Sequence, residues 1–594
     1  MLPLVMDSSN PIFRIFSTLS PLPAGFKVDA MTQQLAGRCM FFLLVLFFLT
    51  QSSAAFAQLA PGLYGVVFKD KHNSPYSLTE PNAYLSSRCL ERRARFGVPV
   101  DSLDLPVNPH YLAAIQQAGF VEIKHTSRWF NSAVIFVVDT LIIDDIRNLP
   151  MVLELKKWPL PSHEKPLGHT TKYPVLQRIN WNIAEEVENF YGPSEGQLSM
   201  MGGPLLHAQG FTGEGVHIAV MDAGWNKANV LPTFDRLRAE ERLLGTRDFV
   251  FEQNDPVYSA SDHGTYVWSI MAGYSPGQLI GSAFGASYYL LRTENPSSEY
   301  LAEEWNWVAG AEFADSSGVD IINSSLGYSQ FDWSSQNHTY EDMNGQSTRV
   351  SQAADIASSK GILVVNSAGN SGDNAWRYIT APSDGDDVLC VGAVRADSTV
   401  AWFSSRGPSF DGDIKPNVSG QGVGVVFASV DSTFATGNGT SFSSPLVAGL
   451  AACLWQAFPN ATNKQIKRAI EKSAHLAYSP NDDLGFGIPN FWSAYKSLAN
   501  MPLDQSKLDA TLWPNPSTGS CFVQFQNPSA SSAAFHIFDA LGHRIWQSTG
   551  ALSIGAQGLI ALDLTPGFLQ AGCYFLHVEA GDRHTILPWI VVNP

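Results

Sequence analysis

The sequence predicts an α/β fold: a parallel sheet with helices on both faces, preceded by a small α/β unit and followed by an all-β sandwich. Three observations carry this. From about residue 200 to 500, short apolar runs of strand length alternate with helix-length segments, the pattern of a parallel sheet buried on both faces. Over residues 58–165, two strand-like runs alternate with two short helical segments. Over residues 505–594, short strands are separated by Gly, Pro and Asn turn signals, as in an antiparallel sandwich.

Composition bounds the reading further. A chain of 594 residues exceeds one compact domain, and a hydrophobic fraction of 45% can supply several cores. The net charge of -17 argues against nucleic acid as a partner, because phosphate binding needs basic patches.

Taken in order, the chain opens with a processing signal. Arg38 precedes the apolar run Met40–Leu49, and Ala55-Phe56-Ala57 follows. These are the charged, apolar and small-residue parts of a secretory signal over residues 31–57, with cleavage after Ala57. Residues 1–30 read as an upstream extension and Met31 as the start. The apolar run is shorter than the roughly 20 residues that span a bilayer, and no later segment is longer, so the mature protein is expected to have no transmembrane span.

In the first unit, Leu63–Phe68 and Ala133–Val138 read as strands, Ala83–Arg95 as a helix with a basic face (Arg88, Arg92, Arg93, Arg95), and Tyr111–Gln117 as a second helix. Pro161, Pro166 and Pro174 mark a linker, with residues 166–199 leading into the central unit. There Val216–Met221, Val319–Ile322, Ile362–Val365 and Val388–Val394 read as buried strands. Ala302–Ala314, Val350–Ser359, Ser444–Ala457 and Asn463–Ser473 read as helices. In the last unit the expected strands are Cys521–Gln526, Ala534–Asp539, Arg544–Gln547, Ile560–Leu564, Cys573–Val578 and Thr585–Val592. Of the six cysteines, Cys39 leaves with the signal, Cys390 and Cys453 sit in apolar runs as core fillers, and Cys521 and Cys573 leave a pairing open. No C-x-x-C spacing suggests zinc.

Four segments carry chemistry. Ile218-Ala219-Val220-Met221-Asp222 ends an apolar strand on an acid, where α/β sheets place functional groups. Ser261-Asp262-His263-Gly264-Thr265 puts a histidine at a helix start. Val364-Val365-Asn366-Ser367-Ala368-Gly369-Asn370 runs a strand into an asparagine whose amide can donate to developing negative charge. Gly439-Thr440-Ser441-Phe442-Ser443-Ser444-Pro445 opens a helix of small residues, setting Ser441 beside free N–H groups and the positive end of the helix dipole. Each alone reads equally as a cap or a turn; together, in this order, they supply nucleophile, base, orienting acid and oxyanion donor.

These four segments resemble the motifs of the subtilases, in the chain order Asp222, His263, Ser441. Phe403-Ser404-Ser405-Arg406-Gly407-Pro408 resembles another segment of that family. The resemblance implies a subtilisin-like serine endopeptidase with Ser441 as nucleophile, His263 as base, Asp222 as orienting acid and Asn370 in the oxyanion hole. It implies that Ser325, Leu326 and Gly327 bind the substrate backbone, that the substrates are proteins or peptides, and that no cofactor is required, structural calcium aside. Two departures stand out: Ala223 where Ser or Thr is commoner, and Lys415–Gly422, which differs from the family's usual version. Residues 58–165 resemble the inhibitory propeptides of subtilases. The last unit, with Leu512-Trp513-Pro514-Asn515-Pro516 and Ala571-Gly572-Cys573-Tyr574, resembles the sorting domain of type IX secretion substrates. That implies a partner in the type IX machinery and a secreted or surface-anchored, monomeric product. The rival reading is a catalytically silent adhesin on the same scaffold. Gly273-Tyr274-Ser275-Pro276-Gly277 fits the G-x-S-x-G elbow of esterases, but a helix precedes it where the elbow needs a strand, so it reads as a loop.

Overall fold

The computed structural model describes residues 62–158, 177–178, 189–250, 256–500 and, with short interruptions, 510–592. The expected signal and most of the expected linker lie outside the described residues.

The N-terminal unit is a four-stranded antiparallel sheet of β1 (Gly62–Phe68), β2 (Val121–Ser127), β3 (Ser132–Val137) and β4 (Val152–Trp158), in the order β2-β3-β1-β4. Three helices join it, α1 (Ser87–Phe96), α2 (Pro109–Gln117) and the five-residue helix Ile143–Arg147, which the sequence reading did not anticipate. Along β1 buried and half-buried residues alternate strictly, as a sheet with one covered face requires. β2 and β4 were not anticipated, because their lysines and glutamates hide the alternation. Helix α1 starts later than the sequence suggests. Pro81–Ala83 is a separate 3-10 turn, and the Ser86 side chain caps α1 by accepting from the Cys89 N–H.

The central unit is a seven-stranded, wholly parallel sheet. Its strands are β5 (His217–Asp222), β6 (Leu243–Asp248), β7 (Ser287–Arg292), β8 (Ile321–Ser324), β9 (Leu363–Ser367), β10 (Leu389–Val394) and β11 (Val418–Gln421), in the order β11-β10-β9-β8-β5-β7-β6. Both faces are covered, and β5 shows how. Ile218 and Val220 join the core that holds α3 (His263–Ala272) and α6 (Thr440–Ala457); Ala219 and Met221 join the core that holds α4 (Ala302–Ser316) and α5 (Arg349–Ser359). α7 (Asn463–Ser473) runs over the span expected from the sequence. From Thr440 to Trp455 every residue of α6 is buried, so this helix has no polar face. β6, β7 and β11 escaped the sequence reading because Arg247, Asp248, Ser287, Ser419 and Gln421 interrupt their apolar character.

The N-terminal unit docks on α4 through aromatic packing and charge: Phe130 and Trp158 each lie 5.7 Å from Trp305 between ring centroids, and Trp129 joins the core that holds α4 and α5. Asp315, fully buried, accepts from Arg92 at 2.7 Å, Arg93 at 2.6 Å and Arg128 at 2.6 Å. Arg93 also forks onto Asp104 at 2.7 and 2.8 Å, and Lys360 reaches Asp101 at 2.8 Å. One turn earlier on α4, Glu312 accepts from the Ser127 hydroxyl at 2.5 Å and from the Arg128 and Trp129 N–H groups at 2.8 and 3.1 Å.

The C-terminal unit consists of antiparallel sheets. Ala510–Trp513, Ser520–Phe525 and Leu559–Asp563 form one; β12 (Ser532–Phe538), β13 (Gly572–Ala580), β14 (Arg583–Val591) and Arg544–Gln547 form the other. Val523, Phe535, Leu576 and Trp589 share its core. The thiols of Cys89, Cys390, Cys453 and Cys521 are free and buried, so Cys521 enters no disulfide. Burial pushes Cys89 and Cys390 up to about 11, Cys521 to about 12, and Cys453 higher still. Among the described residues, no helix is long and apolar enough to cross a membrane.

Candidate active site

The parallel strands β5, β7, β8 and β9 end on Asp222, Arg292, Ser324 and Ser367, so one edge of the sheet collects the groups that follow. Asp222 is fully buried there. The Ala223 N–H donates to its Oδ1 at 2.7 Å, and the Thr293 N–H donates to its carbonyl at 3.1 Å. Arg292, which the sequence reading missed, donates from Nε to the Ala223 carbonyl at 3.0 Å. Alanine at 223 thus serves this arrangement through its main chain alone, donating its N–H to Asp222 and accepting from Arg292.

His263 is the first residue of α3, and its Nδ1 lies 2.9 Å from both oxygens of Asp222. With Nδ1–H donating to the carboxylate, the neutral ring keeps Nε2 as the acceptor. The approach is close because residue 264 is glycine: a Cβ there would meet the Gly224 carbonyl oxygen at 2.4 Å. The imidazole stacks on Phe442 with ring centroids 6.2 Å apart, which brings it against the residue next to Ser441.

Ser441 is the second residue of α6, buried to 6% exposure. Its Oγ donates to the Ser325 carbonyl at 3.4 Å. First-turn N–H groups have no partner within a helix, so the end of α6 presents donors at this serine. Pro445 lies four residues on, inside the helix, and has no N–H to give the Ser441 carbonyl. The Ser325 hydroxyl supplies that bond instead, at 3.0 Å. The serine-proline pair in the motif thus ties the start of α6 to the end of β8, a role that the sequence pattern did not reveal.

Asn370 is exposed at the end of the segment leaving β9. Its Oδ1 accepts from the Thr440 N–H at 2.9 Å and the Thr440 hydroxyl at 3.0 Å. A main-chain N–H can only donate, so the amide oxygen faces α6 and the NH2 is left as a donor. Thr440 is thus the orienting partner, quoted in the motif but assigned no role from sequence. Ser325, Leu326 and Gly327 continue beyond the β8 ladder, which ends at Ser324. The Leu326 carbonyl accepts from Asn366 Nδ2 at 3.0 Å. Gly327 is exposed, and a Cβ on it would meet Thr380 Oγ1 at 2.1 Å.

Ser275 is not in a plain loop. It ends a two-residue strand, Tyr274–Ser275, paired with Leu279–Ile280 in a tight hairpin after α3. No strand-to-helix elbow forms, and its Oγ donates to Thr233 Oγ1 at 3.2 Å. Among the described residues, Glu294, Glu299 and Glu303 bring carboxylate oxygens within 4.8 Å of one another, an all-oxygen set that suits a hard cation such as calcium.

Residues 213–492 match the Subtilase family. Subtilisin DY of Bacillus licheniformis is 30% identical over 273 residues, covering 45% of this chain and 87% of that protein. The chain belongs to the subtilase family. Subtilisin E of Bacillus subtilis (strain 168) is 30% identical over 280 residues, 47% of this subtilase, which spans 65% of that relative's length. A thermostable alkaline protease of Halalkalibacterium halodurans is 26% identical over 352 residues, 58% of this chain and 82% of the relative. Two flanking matches complete the subtilase: the peptidase S8 propeptide domain of Bacteroidota over residues 63–170, and a secretion system C-terminal sorting domain over residues 511–593. The sorting domain marks the product as secreted or anchored at the outer cell surface.

Proposed function

We propose that this subtilase is a serine endopeptidase that hydrolyses protein substrates through an acyl-enzyme. The observation that carries the reading is the buried Asp222–His263 pair, held at 2.9 Å, beside the N-terminus of α6. Ser441 Oγ attacks the substrate carbonyl. His263 Nε2 takes the proton and returns it to the leaving amine, while Asp222 fixes the tautomer and stabilises the imidazolium. The Asn370 NH2 and the Ser441 N–H bind the oxyanion. Ser325, Leu326 and Gly327 pair with the extended substrate backbone by strand addition. No step needs a cofactor; calcium bound by Glu294, Glu299 and Glu303 would be structural.

In this reading the chain is a monomer made as a zymogen. Residues 58–165 inhibit the enzyme until they are cleaved away, and residues 505–594 engage the type IX machinery. A fluorophosphonate probe tests the chemistry. Mature enzyme is labelled covalently, and the Ser441→Ala protein is not. A mature wild type that takes no label is the silent adhesin instead.

A further inference from the structure

The outer face of the C-terminal sheet carries a histidine cluster that peptide hydrolysis does not use. On β12, β13 and β14, Phe535, Ile537, Leu576, Val578 and Trp589 turn into the core, so alternation turns the residues between them outward. The register then sets four polar side chains on one patch. His536 lies directly opposite His577, and Glu579 directly opposite His584. Directly opposed side chains have Cβ atoms about 4.5–5.5 Å apart, and diagonal ones about 7–8 Å. The neighbouring position opposite Glu579 on β12 is Ala534, which fills that corner with only a methyl.

The rings are close. Centroids lie 6.0 Å apart for His536 and His577 and 5.6 Å apart for His577 and His584. Glu579 stands between two of them, with Oε1 3.5 Å from His577 Nδ1 and Oε2 3.9 Å from His536 Nε2. His536 turns Nε2 toward Glu579, and its other nitrogen, Nδ1, is buried without a hydrogen bond among the described residues.

We propose that His536, His577, His584 and Glu579 bind a first-row transition-metal dication, zinc being the representative case, on the outer face of the sorting domain. Imidazole nitrogens with one carboxylate are a borderline donor set suited to zinc, copper or nickel and unlike the all-oxygen set that calcium takes. Ligands about 2.0 Å from a tetrahedral ion stand about 3.3 Å from one another. The two contacts of Glu579 approach that separation, whereas the ring nitrogens do not converge as placed, so binding requires the three imidazoles to turn toward a common point. An ion held there would tie β12, β13 and β14 together, and would stabilise the folded domain by mass action.

The test uses the full chain carrying Ser441→Ala, which prevents self-digestion, after treatment with EDTA. Calorimetric titration with Zn2+ should show one saturable site, and Co2+ should develop visible absorption bands of a nitrogen-ligated ion. Both signals should weaken by roughly tenfold or more in His577→Ala and in His584→Ala. The His584 ring is exposed, so the second variant stands even if the first fails to fold. Zinc affinity unchanged in His584→Ala, or no saturable zinc binding to the parent chain, overturns the site. Binding that survives both histidine variants but is lost in Glu303→Gln places the ion at the acidic cluster and likewise overturns it.

Discussion

Two surfaces of the central unit differ in how they handle buried charge. At the strand-end edge, the groups that meet at Ser441 are brought together by shape: Gly264 and Gly327 admit neighbours that a Cβ would exclude, and one acid faces one histidine. On the outer side of α4, the propeptide domain adds buried charge to aromatic packing on Trp305, with three guanidiniums on Asp315 and two further acids beneath Arg93 and Lys360. Buried ion pairs are expensive to desolvate and regain that hydration on separation. The difference suits a permanent site on one side and a contact that is later given up on the other.

Four measurements break or sharpen this contrast. Asp222→Asn should lower kcat by about 10⁴-fold with the fold intact, because the His263 tautomer is no longer fixed; steady-state hydrolysis of a peptide substrate checks it. Asp315→Ala should leave Arg92 and Arg128 without their acid and Arg93 with Asp104 alone, and weaken docking of the propeptide domain by about 3–5 kcal/mol, read from unfolding of the Ser441→Ala zymogen. Unchanged unfolding would mean that the charges do not hold the contact. Asn370→Ala should lower kcat by about 10²–10³-fold with little change in KM, the scale seen for the oxyanion asparagine of subtilisin. Thr440→Val should have a smaller effect in the same direction, through misorientation of that amide.

The smallest effect is a pH dependence. His125 of β2 donates from Nε2 to Asn306 Oδ1 of α4 at 2.9 Å. Burial, with help from Arg247 and Lys124 and against the Asn306 bond, lowers its pKa from 6.5 to about 4. A histidine freed from the interface regains a pKa near 6.5, so between about pH 6.5 and pH 4 the separated form binds more protons. Docking should therefore be constant above that window and weaken as pH falls through it. Binding measured across this range should show the slope, and His125→Gln should flatten it.

The strand-end site was largely legible before the structure. Asp222, His263 and Ser441 each sit at an element boundary that local sequence marks: an apolar run ending on an acid, a histidine before glycine, a serine among small residues. What could not be read was pairing over distance. The basic face of α1 was visible, but nothing local connects Arg92 and Arg93 to an aspartate more than two hundred positions away. The same holds for the hydroxyl of Ser325 on the Ser441 carbonyl, which becomes necessary only once Pro445 withholds its N–H. β7 was missed for a related reason, since tertiary burial overrides the polar residues within it, and β6 because it is a half-exposed strand at the sheet edge.

The four free thiols have a consequence for the journey outward. Export takes the chain into oxidising surroundings, where an exposed thiolate is captured by the first disulfide it meets. Burial keeps Cys89, Cys390, Cys453 and Cys521 protonated and out of reach once each unit has folded. Folding itself therefore withdraws these four sulfurs from disulfide exchange, without a partner cysteine being needed.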